Sequence, residues 1–223
     1  WWMGGDNDFV KGRWEIFEKY MMAREKVDSK FQGQKWGEGF QAQDVTEEYT
    51  NLTNLGYTNR QARELAVPAV QPLNVIRFQD YAARVRRSFS EQYLNEAGSL
   101  KPDSQTAQLL ALRCSVLPEN QKGRKLEKNL NLVIADFLAT LKAEGPNVGP
   151  TGAHYLLQVL PLIGHQNEAV NVLHKLSETQ RPAFIGTGTT EWMFSHLAGI
   201  DASSPGFQQI RIAPNIPTND SIK

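Results

Sequence analysis

The chain has 223 residues, 40% of them hydrophobic and 22% charged, with 24 Lys plus Arg against 24 Asp plus Glu. It can bury a sizeable core, in one or two domains, and is too apolar and too mixed in charge to be disordered. The balance of charge concentrates no positive field for phosphates or acidic lipid heads, and no run approaches the ~20 apolar residues that span a bilayer, so nucleic-acid and membrane binding are both disfavoured as expectations. Compartment is left open.

In chain order, Asp6 or Asn7 caps a first helix that carries Phe9, Val10, Trp14, Phe17, Tyr20 and Met21 at helical spacing to about Val27. From Phe31 to Val75 the pattern is poor, punctuated by Gly33, Gly37, Gly39, Gly56, Pro68 and Pro72; a loop-rich region is expected, with at most a short helix around Asn59 to Ala66. A strong helix follows on Phe78, Tyr81, Ala82, Val85, Phe89 and Tyr93, ending before Gly98. Asp103 or Ser104 opens the next, stopped by Pro118, and a longer one runs from about Lys122 to Glu144 with Gly145-Pro146 as a double stop.

Two short helices, Gly152 to about Ile163 and Asn167 to about Leu176, form a helical hairpin about the turn Gly164-His165-Gln166-Asn167. A last helix from Thr190 to Ala198 is capped by Thr190 and stopped by Gly199 in the left-handed conformation, with Ile200 folding back on Phe194. Only then does the period change: Phe207, Ile210 and Ile212 read as a strand followed by an extended tail. The expectation is an all-α body of roughly seven to nine helices with a β segment beginning at its C-terminal end, built as a bundle, a solenoid or a ring of hairpins.

Few residues stand out as chemistry. The single Cys114 lies in the apolar segment LLALRCSVL and reads as core, and the four His (His154, His165, His174, His196) form no HExxH, so neither a disulfide, a metal nor a cofactor is expected. Gly186 to Thr190 lacks the Lys of a phosphate cradle. Carboxylates beside aromatics remain. In Trp36-Gly37-Glu38-Gly39-Phe40 an indole and an acid can face a sugar together, or the Trp can tuck beneath a surface turn. His154-Tyr155 follows Pro150-Thr151-Gly152 at a helix start that faces either a cavity or the core. Glu191, beside Trp192, is either a catalytic carboxylate or an acid favoured by the positive end of its helix.

Several stretches resemble one family. TGAHYLLQVLPLIGHQNEAVNVL (151–173), EWMFSHLAGID (191–201) and SPGFQQIRIAPNIP (204–217), with looser matches in GDNDFVKGRWEIFEKYM (5–21) and SQTAQLLALRCSVLPENQKGRKLEKNL (104–130), resemble the helical catalytic domain of bacterial α-L-rhamnosidases, the six-hairpin glycosidases. The resemblance implies a shortened or incomplete (α/α)6 barrel over residues 1–203 and, from 204 to 223, the start of a β-sandwich or an extended tail. It implies a carbohydrate partner, terminal α-L-rhamnosides, hydrolysed with inversion by a general acid and a general base set ~6.5–9.5 Å apart, without metal or cofactor. Glu191 would be the catalytic residue carried here, with Trp36, Glu38, His154, Tyr155 and Trp192 binding substrate. Two readings of Glu191 follow from the family's pattern, in which a separate A-T-T-x-W-E segment carries the base. Either Thr189-Thr190-Glu191-Trp192 fuses that segment with the G-E-W helix, or the base segment is deleted and Glu191 is the structural helix Glu. A non-catalytic carbohydrate-binding or scaffold relative is the alternative. The start at Trp1, without Met, predicts a piece of a longer protein or a processed product, and the implied general acid is expected upstream of it.

Overall fold

The computed structural model describes residues 6–27, 45–117, 124–148, 150–178 and 189–215. They hold eight α-helices: α1 (Asn7–Val27), α2 (Glu47–Ala66), α3 (Pro72–Tyr93), α4 (Gln105–Cys114), α5 (Arg124–Glu144), α6 (Pro150–Leu162), α7 (Gln166–Glu178) and α8 (Thr189–Trp192), the last running on as a π-helix, Met193–Leu197. A two-stranded sheet, β1 (Ile200–Ala202) and β2 (Ile210–Ile212), follows. Within the described residues no helix is long and apolar enough to cross a membrane.

The helix starts follow local chemistry. Asp6 accepts from the Phe9 amide at 2.8 Å, Thr46 from Tyr49 at 3.3 Å and Ser104 from Ala107 at 3.2 Å, each satisfying an amide that the first turn leaves unpaired. Pro72 opens α3, where its missing N–H costs nothing; it is a helix start and not the loop punctuation its sequence context suggests. The poorly patterned region also contains a 20-residue helix, α2, in place of the short helix expected near Asn59. Its interior turns bury Tyr49, Leu52, Leu55 and Ala62 together with Thr50, Asn51, Thr53 and Asn59, so no polar face contrasts with an apolar one and the 3.6 period is blurred.

The helices make two layers. α2 touches α4, α4 touches α6 and α6 touches α8, while α3, α5 and α7 each pack behind the helix that pairs with them. α2, α4 and α6 run parallel, because their contacts ascend together: Tyr49 with Ala107 and Tyr57 with Arg113, then Gln105 with Asn147 just before α6 and Arg113 with Gln158 farther along it. One core, around Tyr49, Val85, Phe89 and Val116, joins α2, α3 and α4; a second, around Leu109, Phe137, Leu160 and Trp192, joins α4 to α8. α1 closes the other end through Trp14, Met21 and Phe78, and Glu25 holds both Arg77 and Arg84 of α3.

At the C-terminal end α8 begins by Thr189, so Thr190 lies inside its first turn and does not cap it. Gly199 has φ +64°, as a left-handed stop requires, and a Cβ there would lie 1.8 Å from the Ala213 carbonyl oxygen. Ile200 enters β1, opposite Ile212, in an antiparallel pair that spans the boundary expected at 203/204.

Candidate functional site

On the first-row face turned away from the outer helices, one polar chain crosses all four inner helices. Gln61 donates to the Tyr57 hydroxyl at 2.8 Å, and Arg113 Nη2 donates to the same oxygen at 3.4 Å. The Arg113 guanidinium lies between two phenol rings, 5.0 Å from the Tyr57 centroid and 5.6 Å from that of Tyr155. Its Nε donates to Gln158 at 3.3 Å, and Gln158 donates in turn to Glu191 Oε2 at 3.3 Å. Tyr57, Arg113, Tyr155 and Gln158 are half-buried and Glu191 is exposed. Burial pushes the Tyr155 hydroxyl above its ordinary value while Arg113 pulls the other way, so the phenol is a neutral donor in solution near neutrality.

Thr106 lies seven positions before Arg113, two turns along the same face of α4. Its hydroxyl is fully buried and makes no hydrogen bond among the described residues; Asn51 Nδ2 near the start of α2 and Thr189 Oγ1 at the start of α8 share that condition. The polar chain itself offers amide and hydroxyl groups, aromatic rings, one cation and one carboxylate, the inventory that hydroxyl-rich ligands are recognised with.

The residues singled out from sequence are distributed as follows. Glu191 and Tyr155 share the polar chain. Trp192 is 2% exposed and packs in the second core, its indole N–H without a partner among the described residues. Trp36 and Glu38 lie outside the described residues, as does the side chain of His154. Sequence reading did not single out Tyr57, Arg113 or Gln158; a legible signal existed for Arg113, a lone cation inside LLALRCSVL. Below Glu191, Ser195 Oγ donates to the Glu191 carbonyl at 2.7 Å and lies 2.7 Å from His196 Nδ1. The hydroxyl has one proton and the carbonyl takes it, so Nδ1 carries the imidazole proton. Burial holds His196 below its ordinary value, with Asp201 and then Glu191 opposing. No group of three or more metal-ligating side chains occurs among the described residues.

Inner helices, three of them backed by an outer one and sharing a polar inner face, define an α/α-hairpin domain. The sequence pattern of the bacterial alpha-L-rhamnosidase 6 hairpin glycosidase domain spans residues 1–192, and the chain belongs to that family. A curated alpha-L-rhamnosidase of Streptomyces avermitilis is 24% identical over 169 residues, 61% of this chain and 16% of the relative. The crystal structure of Streptomyces avermitilis alpha-L-rhamnosidase complexed with L-rhamnose superposes with TM-score 0.75 at 18% identity, over 96% of this chain and 24% of that one. The alpha-L-rhamnosidase of Dictyoglumus thermophilum gives 0.73 at 17%, over 96% and 27%, and the rhamnosidase of Bacillus sp. GL1 gives 0.71 at 13%, over 96% and 26%. These structures share the fold, and the chain spans about a sixth to a quarter of the length of such relatives.

Proposed function

We propose that the chain forms part of the sugar-binding ring of a glycoside hydrolase that acts on terminal α-L-rhamnose with inversion, using carboxylates as general acid and base. The observation that carries this reading is the Arg113-centred chain of contacts on the inner face, which ends at the exposed carboxylate of Glu191. Its tyrosines, amides and guanidinium would hold ring hydroxyls, and Glu191 would take a proton from the attacking water. Inversion requires a second carboxylate ~6.5–9.5 Å away, across the sugar. Within this chain of contacts Glu191 is the one carboxylate, an observation that favours the second reading: a relative that binds the sugar without cleaving it.

Release of p-nitrophenol from p-nitrophenyl α-L-rhamnoside separates the two. Turnover by the wild-type chain that falls about 10²–10⁴-fold in Glu191→Gln supports Glu191 as base. Turnover that Glu191→Gln leaves intact removes it from the mechanism. No turnover, with L-rhamnose binding that Arg113→Ala weakens, supports the binding relative. The domain division proposed with this reading is a helical unit over residues 1–203 and a β-sandwich or extended tail beginning at 204.

A further inference from the structure

Two buried glutamines one turn apart on α4 have different surroundings. Gln105 is satisfied at both ends of its amide: Nε2 donates to the Gly145 carbonyl at 2.9 Å and Oε1 accepts from the Asn147 amide at 3.0 Å. It ties the entry of α6 to the start of α4. Gln108, 3% exposed, has only Thr140, whose hydroxyl lies 3.5 Å from Oε1; its amide nitrogen donates to nothing among the described residues. Thr140 Oγ1 is also 3.1 Å and 3.0 Å from the Asp136 and Phe137 carbonyls, which claim its single proton more closely. One end of this amide is therefore left for water or a ligand to meet.

Gln108 lines a cavity of about 560 Å³ between α4, the last turns of α5 and the α3–α4 connection, within the ~300–1,000 Å³ range of small-molecule sites. Asp103, Asp136, Asn95 and Lys101 share the lining. Among the described residues neither carboxylate has an ion-pair partner, although Lys101 is in the same wall. The connection that forms this wall is ordered by its own bonds: Leu94 bridges Leu100, Asn95 Oδ1 accepts from Ser99 at 3.0 Å, and Gly98 turns the chain at φ +94°. Gln108 lies five positions before Arg113, about 140° around α4, so this cavity opens behind the inner row and not on the face that carries Glu191.

The lining selects its ligand by elimination. An anion would meet Asp103 and Asp136. A bare cation would suit them but would face the positive end of the Gln108 amide. A hydroxyl both donates and accepts, so a ring bearing several can give protons to the carboxylates and accept from Gln108 at once. We propose that the cavity is an ancillary sugar subsite, which takes a neutral polyhydroxylated ring at a place separate from the inner face. The proposal goes beyond the reading of Glu191 and does not depend on turnover.

Titration of the ¹⁵N-labelled chain with methyl α-L-rhamnopyranoside and, separately, D-glucose tests it. At least one sugar should shift the Gln108 side-chain amide and the backbone amides of Ser99 and Ala139 saturably. Gln108→Leu and Asp136→Asn should each weaken that response about tenfold, equivalent to one lost hydrogen bond to a charged or buried group. Asp136→Asn retains the shape of a half-buried side chain and so remains informative if Gln108→Leu fails to fold. Arg113→Ala should leave these shifts in place, which separates this subsite from the inner face. Absence of shifts at these three positions up to about 0.1 M of both sugars, indifference to Asp136→Asn, or a response to putrescine alone would overturn the proposal.

Discussion

The two helical layers solve the burial problem in opposite ways. α3, in the outer layer, buries a stripe, Phe78, Tyr81, Ala82, Val85 and Phe89, and exposes Leu73 and Ile76 on its other side. The inner α4 and the first turns of α2 are covered nearly all round and take polar residues inside: Thr50, Asn51, Thr53 and Asn59 on α2, Gln105, Thr106 and Gln108 on α4. An outer helix is held by apolar area, whereas an inner helix needs each buried polar group to find a specific partner.

The largest expected effect breaks the outer side of this contrast. Phe89 is fully buried, with its ring 5.2 Å from Tyr49 and 5.3 Å from Tyr93. Phe89→Ala should destabilise the chain by about 3–5 kcal/mol in urea titration, while Leu73→Ala on the same helix, 80% exposed, should stay within about 0.5 kcal/mol. Equal losses would mean that α3 is not held by a stripe. A smaller effect tests the inner side: Gln105→Leu keeps volume and apolarity but strands the Gly145 carbonyl and the Asn147 amide. It should cost about 1–3 kcal/mol in the same titration, and a gain in stability would show that inner polar residues are replaceable by area.

Legibility in the sequence does not simply follow the layers. α1, α5, the inner α4 and the α6–α7 hairpin could be read because their period, caps and stops lie in the chain itself. α2 could not be read as a whole: its Thr, Asn and Gly residues are weak helix formers, and what keeps them helical is burial between α3 and α4, information that no local window contains. The strand at Ile210 was legible, but its partner at Ile200 was hidden inside an apparent helix stop. Of the candidate site, Glu191 and Tyr155 could be picked out by residue type and neighbours. Tyr57, Arg113 and Gln158 acquire meaning only when parallel packing brings positions from three helices into one chain of contacts.

The smallest expected effect concerns the end of the inner row, where the π-helix supports Glu191. His196 faces Ser195 and Glu191 on its own helix and Asp201 from β1, which in turn lies 3.8 Å from Arg211 of β2. Burial lowers the imidazole below its ordinary value, so between the folded and unfolded values the unfolded chain binds the extra proton. Stability should therefore fall as pH drops through the ordinary histidine range, about pH 7 to 5, and be fully present above it. Melting temperatures across that window should show a shallower fall in His196→Gln; an unchanged slope would assign the pH dependence elsewhere.

Cys114 is the only thiol in the chain, 4% exposed in the seam where α2, α3 and α4 meet, and burial pushes its pKa up to about 12. Thiolate, the form that reacts with alkylating reagents, is thus nearly absent in the closed protein near neutral pH. Each labelling event must wait for the seam to part, so the single cysteine serves as an internal clock. The rate at which it is consumed counts openings of the junction between the two layers, with no other sulfhydryl to confuse the count.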